Sequence, residues 1–137
     1  MTVTAFDPER DLIVVESEVW SRTRHRNLAL AIDTASAATV IAPYAIEAVG
    51  YSRHDRIAVT KVRSAVGEET GYLLRVARFA ALGFVVSDFE VNVFDLVAAY
   101  DIDGLVGLNF LRYFDYEIQS VIGRIISRPA MAQARHG

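Results

Sequence analysis

The segment Ala31-Ile32-Asp33-Thr34-Ala35-Ser36 ends an apolar run in an acid and follows it at once with small residues. A tight loop of that kind holds a carboxylate at the rim of a sheet. There, backbone N–H groups and hydroxyls can approach it, and it can accept or release a proton. The plainer reading is an aspartate closing an Asx-turn at a strand end, and the hexapeptide leaves both open. A second segment, Asp103-Gly104-Leu105-Val106-Gly107-Leu108-Asn109-Phe110-Leu111, sets two apolar residues between glycines ahead of a short helix. Glycines so placed suit a buried segment that other backbone approaches closely. Ordinary core punctuation would read the same way.

The remaining candidates are thinner. His25, His54 and His136 are scattered without metal-ligand spacing, and the chain has no cysteine, so thiolate sites, disulfides and Cys nucleophiles drop out together. Asp101-x-Asp103-Gly104 has the look of a calcium loop, but Arg112 stands where the bidentate acid of an EF-hand belongs. Ser36 has no histidine near it in sequence, and Gly104-x-x-Gly107 lacks the lysine of a phosphate loop. Neither a metal nor a cofactor is expected.

Strand signals dominate the elements that must position these residues. Leu12 to Trp20, Leu28 to Ile32 and Ala38 to Ile41 are β-branched or alternating runs. Pro43 opens a short helix over Tyr44 to Val49, with Gly50 just past its end. Arg56 to Arg63 and Tyr72 to Ala80 read as strands flanking a hairpin tip at Ser64 to Gly71, marked by Gly67 and Gly71. Phe84 to Val86 and Phe89 to Phe94 add strand, Asn109 to Phe114 a short helix, and Tyr116 to Ser120 pairs with Arg124 to Ser127 across Ile122-Gly123. Many short strands with two short helices favour a closed or sandwiched all-β domain. A single domain is expected over 1–127, with a flexible tail at 128–137.

The chain has 137 residues, 53% of them hydrophobic, which suffices for one core and is too apolar for disorder. A net charge of −3 gives no electrostatic reason to expect nucleic acid or an anionic membrane. The basic cluster Arg22, Arg24, His25 and Arg26 is explained as well by a solvated hairpin tip as by a binding patch. The charged segment before Asp11 lacks a signal peptide's apolar run, and no apolar stretch reaches the ~18 residues of a membrane span. A soluble cytoplasmic protein is the expectation.

Taken together, in this order and separation, the two segments resemble the retropepsin family of aspartic peptidases. That family carries Asp-Thr/Ser-Gly after a strand and an apolar-apolar-Gly segment near the C-terminus. Asp33-Thr34 match the first motif and Leu105-Val106-Gly107 the second, while Leu108 to Leu111 resemble the start of the family's C-terminal helix. The hairpin with Val66 and Gly67 lies where the family keeps a substrate-covering flap. The resemblance covers roughly Leu12 to Ser127. It implies an all-β, closed acid-protease barrel with a flap hairpin and one or two short helices.

The resemblance also implies an activity, an endopeptidase acting on peptide or protein substrates. Hydrolysis without a metal or a nucleophilic side chain needs one group to activate water and another to protonate the carbonyl and the leaving amine. Two adjacent carboxylates do both by sharing a proton. Only one such motif occurs here, so a homodimer must supply the second Asp33. Two end strands, Leu12 to Val15 and Arg124 to Ser127, are expected to offer edges for that dimer. Thr34, Ala35 and Ser36 support the active-site loop, with the Ser36 hydroxyl expected to donate to Asp33; Ile41, Val66 and Leu105 line the groove. Ala35 departs from the family's glycine. That departure sustains a second reading, a catalytically silent dimerisation or peptide-binding module, and a third is an unrelated small β-barrel binding module.

Overall fold

The computed structural model describes residues 1–64, 67–95 and 101–129. These residues form ten strands and two short α-helices. In chain order they are β1 (Thr2–Ala5), β2 (Val14–Trp20), β3 (His25–Ile32), β4 (Val40–Ile41), α1 (Pro43–Ala48), β5 (Ala58–Ser64), β6 (Gly67–Ala81), β7 (Phe84–Val93), β8 (Gly104–Val106), α2 (Leu108–Leu111), β9 (Phe114–Gln119) and β10 (Arg124–Pro129). A 3₁₀ turn at Arg53–Asp55 precedes β5.

The larger sheet runs β2-β3-β8-β4-β7-β6-β5, and β2 also pairs with β6 through Glu18 to Trp20. That pairing joins the two ends of β2-β3-β8-β4-β7-β6, so six strands close into a barrel and β5 is left as a flange beyond it. Closure follows from alternation. Val15 and Val19 of β2, Leu28 and Leu30 of β3, and Phe89, Val91 and Val93 of β7 all turn into one core. In β6 the inward set changes phase, from Tyr72, Leu74 and Val76 to Phe79 and Ala81. The change falls where the β6–β7 ladder omits the Ala77–Asp88 rung. Asp88 has φ +52° there, and the Ala77 amide donates instead to the Tyr51 hydroxyl at 2.9 Å. Phe79, Phe89 and Phe110 meet at centroid distances of 5.0–5.7 Å, which fastens α2 to the core through Phe110.

Several sequence expectations shift here. The Gly67–Gly71 stretch is strand and not hairpin tip, because β5 and β6 stay paired through Ser64 and Gly67. Phe84 to Val93 is one strand and not two. Arg124 to Ser127 is no open edge: β10 is the middle strand of a three-stranded sheet, β1-β10-β9. Its neighbour β1 was not foreseen. β10 also continues through Pro129, two residues into the stretch read as tail, and residues 130–137 lie outside the described residues.

Candidate active site

Asp33 stands where β3 ends. β3 runs parallel to β8, with Ile32 beside Val106, and the Asp33 amide continues that ladder by donating to the Val106 carbonyl at 2.9 Å. The chain then turns sharply. The Ala35 amide donates to Asp33 Oδ1 at 3.0 Å and the Ser36 amide to the Asp33 carbonyl at 3.2 Å. The Asx-turn of the plainer reading is therefore real, and it fixes the carboxylate instead of using it up. Among the described residues Oδ2 has no hydrogen-bond partner, and Thr34 and Ala35 beside it are exposed.

From the turn the chain returns as β4, antiparallel to β8, so that β8 lies between β3 and β4. This close threading explains both glycines of the second segment. A Cβ on Gly104 would lie 1.9 Å from the Val40 carbonyl oxygen; one on Gly107 would lie 2.1 Å from that of Ala38 and 2.8 Å from that of Ser36. No side chain fits at either position. With the backbones this near, the Leu108 amide donates to the Ser36 carbonyl (2.8 Å) and the Asn109 amide to that of Ala37 (3.1 Å). The Asp33 loop is thus bolted to the start of α2 by main-chain bonds that any sequence could make, provided residues 104 and 107 lack a Cβ.

Thr39 completes the lock. It is fully buried, its hydroxyl accepts from the Gly107 amide at 3.1 Å, and it donates to Asn109 Oδ1 at 2.7 Å. The Asn109 amide group in turn donates to the Glu90 carbonyl at 2.9 Å. Sequence reading did not single out Thr39. The available signal was a hydroxyl residue opening an apolar strand, Thr39-Val40-Ile41.

The site residues named from sequence divide as follows. Asp33, Thr34, Ala35, Ser36 and Leu105 come together at the β3–β8–β4 crossing. The Ser36 hydroxyl, expected on Asp33, donates to the Ala38 carbonyl at 2.7 Å; it braces the loop and does not touch the acid. Ala35 carries no left-handed strain, since the described non-glycine residues with positive φ are Leu82, Asp88 and Asp101. Ile41 is 0% exposed within the barrel core and offers no surface to a groove; its strand position turns it inward. Gly67 opens β6 opposite Ser64, at the far end of the β5–β6 hairpin. Val66 lies outside the described residues.

At the other end of β8, Asp103 serves as a clamp. Its Oδ2 accepts from the Ala29 amide at 2.8 Å, its own amide donates to the Ala29 carbonyl at 2.8 Å, and its carbonyl accepts from the Ala42 amide at 2.9 Å. The Tyr44 hydroxyl of α1 donates to Asp103 Oδ1, and that bond, aided by burial, pushes the Tyr44 phenol up to about 12. Both carboxylate oxygens are engaged, so this acid holds β3, β8 and α1 in place for the loop above.

A family model described as aspartyl protease matches residues 24–110, from β3 through the Asp33 loop to α2. The fold is similar to that of a retropepsin-like aspartic protease from Rickettsia conorii, with a TM-score of 0.65 and 14% sequence identity over 90% of this chain and 94% of that one. The chain is also similar to the solution structure of Simian Foamy Virus (mac) protease, with 19% identity, a TM-score of 0.46, and coverage of 73% of this chain and 92% of that one. Curated protein sequences give no match.

Proposed function

Since the chain belongs to the aspartyl protease family and has a retropepsin-like barrel, we propose that it is an aspartic endopeptidase whose dyad pairs Asp33 with the same residue of a second copy. The observation that carries this reading is the state of the Asp33 carboxylate. Oδ1 is oriented by the Ala35 amide, Oδ2 has no partner among the described residues, and the loop around it is fixed by β8. A carboxylate so held, at an exposed turn, is poised to share a proton with a like group across a two-fold axis.

In the proposed reaction one carboxylate removes a proton from water as the oxygen attacks the peptide carbonyl, and the protonated carboxyl gives its proton to the carbonyl oxygen. Collapse of the tetrahedral species breaks the C–N bond, with the amine leaving protonated. Thr34, exposed in the single chain, braces one loop against the other. The β5–β6 hairpin, with Gly67 near its end, covers the bound peptide and excludes water; Leu105, half-buried on β8, contributes apolar surface beneath.

The Ala35 methyl, exposed two residues from the acid, is what favours the second reading, a silent dimerisation or peptide-binding module. One experiment separates them. Asp33→Asn keeps the shape of the side chain but cannot carry the shared proton. Hydrolysis of unfolded protein by the wild type and its loss in a dimeric Asp33→Asn variant support the enzyme. Binding without hydrolysis by the wild type supports the module.

A further inference from the structure

At the base of the β5–β6 hairpin, away from Asp33, a groove of about 420 Å³ opens between α1, the 3₁₀ turn and the paired strands β6 and β7. Its lining includes Pro43, Glu47, Arg53, Thr70, Tyr72 and Asp95. Tyr72 is only 6% exposed, yet its hydroxyl has no hydrogen-bond partner among the described residues. The hydroxyl itself is not sealed from solvent, since the buried side-chain atom left unpaired among the described residues is Ser17 Oγ; it is open to a partner from outside the protein. Tyr51, by contrast, commits its hydroxyl within the protein: it accepts from the Ala77 amide and donates to the Trp20 carbonyl.

The charges around the Tyr72 hydroxyl are also uncommitted. Arg53, Glu47 and Asp95 form no ion pair among the described residues. Burial above all, with Glu47 and Asp55 adding to it and Arg53 opposing, raises the Tyr72 phenol above its ordinary value. The lining of the groove therefore includes two donors, a guanidinium and a phenol, and two carboxylates.

We infer that this groove is a binding site for a small zwitterion, a carboxylate and an ammonium carried on one amino acid or short peptide. The ligand's carboxylate would meet Arg53 and the Tyr72 hydroxyl, and its ammonium would meet Glu47 and Asp95. A simple anion would leave both protein carboxylates unanswered, and a simple cation would face Arg53; only a ligand with both charges answers all four groups. The volume suits a molecule of one to a few residues and excludes a long peptide lying wholly within it. This inference does not rest on the protease reading, and its test reads binding alone.

The test is a titration of isotope-labelled protein followed by the amide signals of Gly71 and Tyr72. The probes are alanine, the dipeptide Ala-Ala, and the singly charged N-acetyl-alanine and alanine amide. Saturable shifts with alanine or Ala-Ala, at least tenfold weaker with both singly charged probes, are expected; whichever zwitterion binds more tightly tells the free amino acid from the peptide source. Tyr72→Phe should weaken binding at least fivefold without lowering the melting temperature, because the hydroxyl it removes has no partner among the described residues. Arg53→Gln, at an exposed turn, should weaken it similarly. Absence of saturable shifts with either zwitterion, equal binding of a singly charged probe, or undiminished binding in both variants would overturn the assignment.

Discussion

Thr39 and Asn109, seventy positions apart, are joined by a 2.7 Å hydrogen bond beneath the Asp33 loop. Because the same hydroxyl accepts the Gly107 amide, Thr39→Val would leave a buried N–H and a side-chain carbonyl without partners. We predict a loss of about 2–3 kcal/mol in chemical denaturation, since each orphaned buried group costs ~1–3 kcal/mol. Catalysis should fall by more than stability alone explains, because a loop displaced by about 1 Å can cost ~100-fold in rate.

Ala35→Gly tests whether the departure from the family's glycine weakens the site. The φ of Ala35 is not positive, so there is no left-handed strain for glycine to relieve. Stability should fall by ~0.4–1 kcal/mol from the greater freedom of the unfolded chain, and turnover should change by less than about tenfold, or ~1.4 kcal/mol of barrier. A large gain in turnover would mean that the methyl obstructs the dyad.

Much of this site was legible in the sequence because backbone geometry leaves chemical marks. Gly104 and Gly107 are glycines because carbonyl oxygens of β4 and the Asp33 loop occupy the space a Cβ would need. Asp33 was legible as an acid ending an apolar strand. What stayed hidden was decided by partners distant in sequence. Thr2 to Ala5 is strand because Val3 pairs with Ile126, which no local pattern announces. Gly67 and Gly71 looked like turn residues, but β5 holds them in the ladder. At Gly71 the reason for glycine is the Val93 carbonyl, 2.5 Å from where a Cβ would sit. Ile41 and the Ser36 hydroxyl were misassigned for a related reason: which way each turns depends on the crossing of β4 and β8.

Ser36→Ala should leave the pH dependence of hydrolysis where it is. The hydroxyl donates to the Ala38 carbonyl and not to Asp33, so its loss removes a loop brace of ~0.5–1.5 kcal/mol without touching the acid. A displaced pH–rate profile in this variant would show that Ser36 reaches the carboxylate in the working enzyme.

Ser17 is predicted to be a site of easy stabilisation. Its side chain is buried, 3% exposed, and its hydroxyl has no partner among the described residues. Ser17→Ala removes the orphaned group and keeps the Cβ, so stability should rise by about 1 kcal/mol in denaturant titration. A fall of that size would reveal a partner for the hydroxyl.

Tyr44 gives a pH signature. Its phenol ionises near 12 instead of 10.0, chiefly because its proton is given to Asp103. The folded form thus holds that proton more tightly than the unfolded form. The associated stability is intact below pH 10.0 and is lost as pH climbs toward 12. At 52% exposure the effect is screened and modest. Ultraviolet titration should show Tyr44 among the tyrosines that ionise late, and Tyr44→Phe should remove the transition near 12.

In the proposed mechanism one reaction uses Asp33 from two chains. Mixing wild-type and Asp33→Asn protein at fixed total concentration, with subunits allowed to exchange, tests it most directly. If each active centre needs two aspartates, peptide hydrolysis should fall with the square of the wild-type fraction. A linear fall would rule out the shared dyad, because each chain would then carry a complete active site of its own.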